Sequence, residues 1–519
     1  MPSAFKMLYT HPGMGSLENV LECRSQKITD IGYRGCMLLA LFLCCVMVRC
    51  TGFRYMWVDE AFTLHLIQHS FRDVVWLTGT DVHPPLYYLI VKSVVDTANA
   101  VVGDAVSRVA VARFVSVVPY MVLLGVCATY IKKRLGKAVA GLSAVFLFAA
   151  PQFLYMGMEI RMYSWAMLFV TLSFLSYIEI VRENNRKAWW CFGLATLACA
   201  YIHNYAGVAA GALYGVLGIH AFWNRSLWKP LLLCSIAVFV LYLPWLFVLM
   251  RQVGAVRESY WIPELTKNSG YNYLFYMLGI DSKHLLRLTV MIIAFCCVRG
   301  LWGQPLKRAV PPCVGVLLPV VVTLIGVAAS LLMRPVFVER YMYPAVFAFW
   351  IGSLYAASHA KPAAGRQVLL LMMGMLAVLY TLSFPSEYRS MRSKARQTAP
   401  FLELAEKNPS AVYVASHSHI HRTANVLTGR PGVAWRIPVT RLTERVYKGQ
   451  TPRMDTVEQL RALMREAGGP LFYLSEASSG DEMGEQASRF MKETGCTLTK
   501  QLRARVGLHE VDVYLVSGI

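Results

Sequence analysis

Charged side chains are scarce in this sequence. Only 16% of its 519 residues are Asp, Glu, Lys or Arg, whereas 56% are hydrophobic. Because a soluble domain carries roughly 25% charged residues, this composition excludes an ordinary soluble protein and indicates a membrane protein. The net charge of +21 fits basic inner loops beside anionic lipid headgroups. No basic stripe with interleaved aromatic residues predicts binding to nucleic acid.

Signatures of several other functional classes are also missing. No P-loop or dinucleotide fingerprint lies between a strand and a helix, so a nucleotide site has no support. The 13 cysteines include no CxxC pair, which argues against structural zinc and thioredoxin-like chemistry. Only Cys496 falls in the polar C-terminal part, which therefore has no internal disulfide. The first apolar run could be a signal peptide, but no small-x-small cleavage site follows it, so we interpret it as an uncleaved span.

Eleven apolar runs are long enough to span a bilayer. They lie at 37–53, 109–131, 138–157, 163–181, 188–203, 207–223, 230–250, 285–299, 310–333, 341–358 and 367–384. Short basic clusters occupy every second loop, at 132–137, 182–187, 225–229, 299–308 and 361–366. The positive-inside rule places all five clusters in the cytoplasm. The weak run 85–101 would invert this pattern if it crossed, so we predict an amphipathic surface helix there and about 11 spans, with a range of 11–13.

This pattern divides the chain into three parts. Residues 1–36 form a cytoplasmic segment, and 37–384 form an α-helical polytopic membrane domain whose large first outer loop is 54–108. Residues 385–519 have the composition of a small soluble α/β domain on the outer face. Its predicted elements are strands at 411–416, 470–474 and 511–516 and a helix at 455–467.

Unusual polar residues gather on the predicted outer face. An ionised group beside hydrocarbon is costly to desolvate, so we expect each of these residues to be paired with another group or to have a function. Arg binds phosphate through paired donors, and a carboxylate can accept a proton from an attacking hydroxyl. Together they suit a reaction between an anionic phosphate group and a hydroxyl. The residues are Asp59, Glu60, His83, Glu159, Arg161, Tyr163, His203, Tyr205, Arg340 and Tyr341.

Simpler interpretations exist for each of these groups. Asp59 and Glu60 could only mark an interfacial turn, and single arginines near headgroups commonly face lipid. His65 and His69 have helical i, i+4 spacing, while His417, His419 and His421 alternate as on one strand face. Both histidine patterns could hold a metal, but we favour solvated surfaces.

Five motifs in order resemble a known family. The residues from about 35 to 385 resemble the polyprenyl-phosphate-sugar glycosyltransferases of the GT-C fold, close to glycosyltransferase family 39 and RgtA-like membrane proteins. These are kin to the protein O-mannosyltransferases and the lipid A aminoarabinose transferase. The resemblance implies a lipid-linked sugar donor and an inverting transfer on the outer face. The motifs are W-x-D-E-A at 57–61, HPPLYY at 83–88, E-x-R-x-Y at 159–163, Y-x-H-x-Y at 201–205 and ERYxxP at 339–344.

The resemblance also implies roles for individual residues. Asp59 is the candidate base, and the acidic residues Glu60 and Glu159 are also expected to be catalytic. Asp59 and Glu159 would hold a divalent metal ion if one is used. The donor phosphate is expected at His83, Arg161, Arg340 and Tyr341. The expected cavity residues are Tyr87, Tyr163, His203 and Tyr205. The C-terminal domain matches no motif of the family.

The predicted function is therefore transfer of a sugar from polyprenyl phosphate to a hydroxyl of a glycan, lipid or protein. Arginines would stabilise the leaving phosphate, and a single displacement would invert the anomeric centre. The expected location is the bacterial inner membrane, with the active site and C-terminal domain on the periplasmic side. One alternative is a transporter or flippase of a lipid-linked sugar, which typically has mid-membrane charges and repeated halves. Another is a catalytically inactive scaffold.

Overall fold

The computed structural model describes residues 14–53, 55–103, 107–258, 262, 264–280, 282–437, 439–448, 450, 452–477 and 483–518. The first 13 residues of the expected cytoplasmic segment lie outside the described residues, as do residues 54 and 104–106 of the first outer loop. Seventeen helices of the described chain precede the first strand. They are α1 Met14–Cys50, α2 Val58–Leu66, α3 Phe71–Gly79, α4 Leu86–Val102, α5 Arg108–Val126, α6 Lys132–Leu135, α7 Lys137–Ala149, α8 Pro151–Met158, α9 Tyr163–Glu183, α10 Arg186–Ile202, α11 Asn204–Trp223, α12 Trp228–Glu258, α13 Ser269–Leu278, α14 Lys283–Leu301, α15 Leu306–Leu332, α16 Tyr343–Ser358 and α17 Ala363–Lys407.

Each of the eleven apolar runs forms a helix or, at 138–157, the bent pair α7 and α8. Eight helices of the described chain are long and apolar enough to cross a membrane, or nine if this pair, bent by 72°, is one span. The remaining runs form α10 and α16, of 17 and 16 residues. At 1.5 Å per residue these reach roughly 24–26 Å, short of the ~30 Å hydrocarbon core. The expected count of eleven therefore becomes eight or nine full-length spans and two shorter helices.

Helix α16 lies at the centre of the bundle. It is buried along nearly its whole length and packs against α7, α9, α14 and α15. A Cβ on Gly315 would lie 2.8 Å from the Ala348 carbonyl oxygen, and one on Gly352 would lie 2.7 Å from that of Pro312. Small residues at such a crossing let two helix backbones approach closely. The glycines therefore fix α15 against α16.

The described part of the predicted first outer loop folds into the three helices α2, α3 and α4, and none of them is among the candidate spans of the described chain. Helix α4 occupies the stretch for which the sequence predicts a surface helix. Its buried Lys92 donates from Nζ to the Ile67 carbonyl at 3.0 Å and pairs with Asp96 at 2.8 Å. The hydrogen bond to Ile67 holds the C-terminal end of α2 against α4, while the ion pair with Asp96 lies within α4.

The C-terminal domain is a six-stranded mixed sheet in the order β3-β2-β1-β4-β6-β5. Strand β1 is parallel to β2 and β4, while β6 is antiparallel to β4 and β5. Its elements are β1 Val412–Ala415, α18 Ser418–Thr428, β2 Gly432–Trp435, α19 Arg441–Val446, β3 Arg453–Met454, α20 Val457–Ala467, β4 Leu471–Glu476, α21 Glu485–Thr494, β5 Thr497–Val506 and β6 His509–Ser517.

The histidines at 417–421 do not share a strand face, so that interpretation is wrong. His417 is the N-cap of α18, where its Nδ1 accepts a hydrogen bond from the His419 amide at 3.3 Å. A capping side chain stabilises the first helical turn by taking an otherwise unsatisfied amide. The helix therefore starts where alternation alone indicated a strand.

The boundary expected between residues 384 and 385 falls inside one helix. Helix α17 continues through Pro385 and Pro400 and ends at Lys407. Strand β5 packs along it, and Arg505 Nε donates to Gln397 Oε1 at 2.9 Å. The change of composition at 385 marks the end of the apolar part of the helix and not the end of the helix. The sheet is thus carried on a helix and not on a linker.

The basic loops meet at one end of the bundle, which we call the basic end. Hydrogen bonds and ion pairs join the loops that precede or follow α7, α9, α12, α15 and α17. The contacts are Lys137–Asp30, Arg134–Glu179, Arg182–Tyr355, Asn184–Ser226 and Gln304–His359. The helices α2 to α4 and the sheet lie at the other end, which we call the site end. The grouping matches the alternation of basic loops along the sequence.

Candidate functional site

Glu60 is engaged in packing at the start of α2. Its Oε2 accepts from the Trp57 amide at 3.3 Å. Both carboxylate oxygens bind Arg113 of α5, with Nε–Oε1 and Nη2–Oε2 distances of 3.0 Å. Glu60 is 3% exposed and Arg113 is 2% exposed. Because a buried two-point ion pair is lost with either partner, Glu60 positions α2 on α5.

Asp59 has a different environment from its neighbour. Its side chain is 28% exposed, and its Oδ2 lies 3.8 Å from Arg340 Nη2. The Arg340 guanidinium also lies over the Trp57 ring, 5.4 Å from its centroid. Adjacent helical residues point in different directions, so only one of the two acids can face the arginine. Asp59 is thus a partly accessible carboxylate beside a cation.

Glu159 lies in the turn between α8 and α9, at the wall of the site. Its side chain is partly exposed, but Oε1 is sealed and has no hydrogen-bond partner among the described residues. Burial raises the pKa of this carboxyl to about 8; the charge of Arg340 opposes the shift and that of Asp59 adds to it. Near pH 7 the group is therefore mostly protonated and can donate a hydrogen bond.

Arg161 is the most buried cation of the site. It is 4% exposed, its Nη1 donates to the Tyr88 hydroxyl at 3.2 Å, and its Nε has no partner in the described chain. Asp81, which the sequence analysis missed, is close enough for Arg161 to affect it: burial raises the pKa of Asp81 to about 6, and Arg161 opposes this. A buried guanidinium with an unpaired donor is a suitable partner for an anion.

His83 and His203 lie together as neutral rings. They are 8% and 1% exposed, and their ring centroids are 5.9 Å apart. Burial, with Arg161 and other neighbouring charges, holds the pKa of His83 well below its usual value and lowers that of His203 to about 3. The His203 ring also contacts Tyr163, Tyr205 and Tyr341, at 5.6, 6.1 and 5.3 Å. These residues supply hydrogen-bonding groups without adding charge.

Tyr87, a predicted cavity residue, has its hydroxyl engaged by α5 and not by Arg161. Its hydroxyl bonds the Ser116 Oγ at 2.9 Å within the contact between α4 and α5. The next residue, Tyr88, contacts Arg161 instead. Because the two rings lie at successive helical positions, only one can face the arginine.

Two cavities of different character adjoin this cluster. The first, which we call the apolar cavity, has about 230 Å³ and runs from His83 and His203 between α11, α12 and α15. The second has about 220 Å³, and we call it the polar cavity because Glu60, Arg113, Glu159 and Lys394 line it, together with the turn Gly507–Leu508. The charges of Arg161 and Arg340 act on histidines of the first cavity and on Glu159 of the second. The same two arginines therefore influence groups that line each of the two cavities.

The C-terminal domain also reaches this cluster, which no sequence motif indicated. Helix α18 packs against α2, and His65 Nε2 and Asn425 Oδ1 are 2.6 Å apart. The charge of Asp59 acts on the pKa values of His419 and Tyr447. Arg422 is half-buried, and its Nε has no partner in the described part of the chain. The domain is thus part of the wall around Asp59.

The expected metal ligands do not form a complete donor set. Across the described residues, the His, Cys, Asp and Glu side chains with metal-type spacing are His417, Glu476 and His509, and this group excludes Asp59 and Glu159. Arg340 adjoins Asp59, and the raised pKa of Glu159 disfavours the ionised form that a metal needs. These two acids do not fit a divalent ion held by protein side chains. The pair His65 and His69 instead bonds the C-terminal domain, at Asn425 and at the Val446 carbonyl.

Comparison with known proteins identifies the fold. No protein-family model matches the chain, and no curated protein matches it significantly. Among solved structures it is similar to apo ArnT from Cupriavidus metallidurans, with a TM-score of 0.57 at 13% identity, covering 93% of this chain and 98% of that one. The same protein bound to undecaprenyl phosphate gives a TM-score of 0.53 at equal identity and coverage. The chain therefore has a GT-C-type membrane fold, and the likeness extends into the C-terminal domain.

Proposed function

We propose that this protein is a membrane glycosyltransferase that moves a sugar from a polyprenyl-phosphate donor to an acceptor hydroxyl with inversion. The observation that carries the proposal is that two arginines, Arg161 and Arg340, act on His83 and His203 of the apolar cavity and on Glu159 of the second cavity, with Asp59 beside Arg340. A lipid-linked donor and a polar acceptor each need a separate cavity from which they can reach one reaction site. The fold shared with ArnT, which was crystallised with undecaprenyl phosphate, supports a polyprenyl-phosphate ligand.

The donor enters through the apolar cavity in this proposal. Its isoprenoid chain lies along α11, α12 and α15, whose side chains form the apolar wall. Its phosphate binds Arg161 and Arg340, with hydrogen bonds from His83, His203 and Tyr341. Arginine suits this role because its planar donors match phosphate oxygens and remain charged. The same donors stabilise the charge that develops on the leaving phosphate.

Transfer needs a base but no strong acid. The leaving phosphate is stable as an anion, so the bond from the anomeric carbon to the phosphate oxygen breaks without protonation. Asp59 accepts the proton of the acceptor hydroxyl while its oxygen attacks the opposite face of the sugar, which inverts the anomeric centre. Glu159, mostly protonated near pH 7, donates a hydrogen bond to the sugar between the cavities. Glu60 holds α2 so that Asp59 keeps this orientation.

The orientation in the membrane follows from the two ends of the bundle. We assign the basic end to the cytoplasm by the positive-inside rule. The site end and the C-terminal domain then face the periplasm of a bacterial inner membrane. The acceptor, a glycan, a lipid or a protein, approaches the polar cavity from that side. The domain boundaries follow accordingly, with a transmembrane catalytic domain at 37–384 and an extracytoplasmic domain at 385–519, joined by α17.

Purified protein in liposomes tests the function directly. Polyprenyl-phosphate sugars and a hydroxyl-bearing acceptor fraction from the cell envelope are supplied, and release of polyprenyl phosphate is measured with wild type and with Asp59→Asn. Transfer predicts release by wild type only. Movement of intact lipid-linked sugar across the bilayer by both proteins, without release, would instead establish the flippase alternative. In cells, mass spectrometry of lipids after deletion should show accumulation of the donor, which would identify the sugar.

A further inference from the structure

A second group of chemically reactive side chains lies in the C-terminal domain, outside the site described above. Its members are His417 before α18, Glu476 at the end of β4 and His509 at the start of β6. The His509 Nδ1 and Glu476 Oε1 atoms are 2.7 Å apart, and the His417 Nε2 and Glu476 Oε1 atoms are 3.7 Å apart. One ligand atom from each residue lies within 4.8 Å of the other two. Residues 92 positions apart in sequence thus converge on one point.

The surroundings leave room for a bound ion. The three side chains are between 25% and 42% exposed, so the point between them can be reached from solvent. The ring of His419 adds a fourth nitrogen-bearing group, 5.2 Å from the His417 ring and 6.3 Å from the His509 ring between centroids. Three imidazoles and one carboxylate form a far denser set of ligand groups than a solvated surface needs.

We propose that His417, Glu476 and His509 bind a divalent transition-metal ion, with Zn²⁺ the ion that fits these donors best. Two imidazoles and a carboxylate are ligands that Zn²⁺ accepts, whereas Ca²⁺ and Mg²⁺ prefer oxygen donors alone. The fourth position is filled by water or by His419. Zinc lies about 2.0–2.2 Å from each ligand atom, so each ligand atom needs to move by about 1 Å or less to bind it.

Binding changes the hydrogen bonding of two ligands. His509 Nδ1 gives up its hydrogen bond to Glu476 and becomes a ligand through its lone pair. His417 binds through Nε2, so its proton resides on Nδ1 and the 3.3 Å contact with the His419 amide is lost. That contact is long for a hydrogen bond, so little stability opposes the change.

The position of the cluster indicates a structural role for the metal. His509 follows the turn Gly507–Leu508, which lines the polar cavity. A Cβ on Gly507 would lie 3.4 Å from the Met56 carbonyl oxygen, so this turn lies directly against the loop before α2. His417 starts α18, which is fastened to α2 through Asn425 and His65. A metal would therefore join the turn to α18 across the top of the polar cavity.

Metal binding to the full-length protein tests the proposal. Chelator-treated protein in detergent is titrated with Co²⁺, whose visible spectrum reports a tetrahedral site, and Zn²⁺ is then used to displace it. We expect one equivalent of binding in wild type and at least ~10-fold weaker binding in His509→Ala and in His417→Ala. His284→Ala, at an exposed histidine of α14, is the matched control and should bind as wild type does.

A second variant separates ligand loss from unfolding. Glu476→Gln keeps the size of the side chain and an oxygen that accepts from His509, so the domain should still fold. In this variant Zn²⁺ should no longer raise the unfolding temperature, whereas in wild type it should raise it by ~2–4 °C through preferential binding to the folded state. Absence of a Co²⁺ spectrum in folded wild type, or equal binding by the double variant His417→Ala/His509→Ala, would overturn the proposal.

Discussion

Charged side chains have opposite environments at the two ends of the helix bundle. At the basic end, Arg134 is one-third exposed and pairs with both Glu179 and Glu183, and Lys137 pairs with Asp30 at the surface. At the site end, Arg161 is buried with an unpaired Nε, and Glu159 has a sealed oxygen without a partner among the described residues. Paired surface charges can hold neighbouring loops together and so maintain the topology of the bundle. Buried polar atoms without partners destabilise the empty protein, so they are expected where a ligand completes them.

The same contrast exists between the neighbours Glu60 and Asp59. Glu60 has its oxygens filled by Arg113, by the Trp57 amide and by the Ile160 amide. Asp59, by contrast, is 28% exposed and lies 3.8 Å from Arg340. The number of hydrogen bonds to each carboxylate therefore distinguishes the two environments more clearly than sequence position does.

The largest effect is expected for Asp59→Asn, which keeps the shape of the side chain and removes its basicity. Transfer should fall by at least ~10²-fold, the loss expected for a positioned base, while donor binding persists. Sugar transfer to acceptor is measured together with binding of a non-transferable donor. Asp73→Asn, at an exposed acid in the same outer loop, is the control and should be fully active. If Glu60→Gln abolishes transfer and Asp59→Asn does not, the two roles are reversed.

A smaller loss is expected for Arg340→Lys, because lysine keeps the charge but not the paired donors. Donor affinity should fall by about 10-fold, which corresponds to ~1.4 kcal/mol of binding free energy. The comparison of the two ends requires that Arg134→Lys, at the basic end, leaves donor affinity unchanged. Normal donor affinity in Arg340→Ala would remove Arg340 from the site.

A pH dependence of several-fold is expected from Glu159. Transfer by wild type should decline as pH rises through about 8, because the hydrogen-bond donor is lost when the carboxyl ionises. Glu159→Gln remains a neutral donor, so its pH profile should lack this decline. A Gln variant that binds donor but is inactive at every pH would instead make Glu159 an essential base.

The free energy of unfolding should depend on the same ionisation of Glu159. The folded-state pKa of about 8 exceeds the value of 4.5 for an unperturbed Glu. The stability that Glu159 contributes is therefore fully present below about pH 4.5 and is lost as pH rises through about 8. The unfolding temperature of wild type relative to Glu159→Gln should decline across this window.

The smallest effect on activity is expected from substitutions that only report topology. Lys133→Cys at the basic end and Glu458→Cys on the sheet domain lie at exposed positions and should leave transfer unchanged. In a cysteine-depleted background, an impermeant thiol reagent should label them from opposite sides of the membrane. Labelling of both from the same side would contradict the assigned orientation.

The sequence predicts the helices and their grouping better than it predicts contacts. Hydropathy locates all eleven apolar helices, and the alternation of basic loops predicts that Asp59, Glu159 and Arg340 share one face. Hydropathy does not locate the end of α17, because a helix can continue after its apolar face ends. It also cannot distinguish Glu60 from Asp59, since that difference depends on Arg113, which is 53 residues away.

The contribution of the C-terminal domain was the least predictable part of the site. His419 and Tyr447 lie in segments without a recognised motif, and Asp59 affects their pKa values because α18 and α19 pack on α2. Strands β2 and β3 are four and two residues long, too short for a clear alternating pattern. Such contacts between distant segments become visible only in the folded chain.

Helix α17 makes the geometry of the site sensitive to the thickness of the bilayer. Its 45 residues correspond to a rod of roughly 68 Å, which is anchored in the membrane at one end and carries the sheet at the other. When the hydrophobic length of a span and the local bilayer differ, the helix tilts. Tilting this rod would shift Gly507 and Leu508 relative to Glu159 and so change the clearance of the polar cavity. Under the proposed function, lipid composition alone would then alter the size of the acceptor that the polar cavity admits.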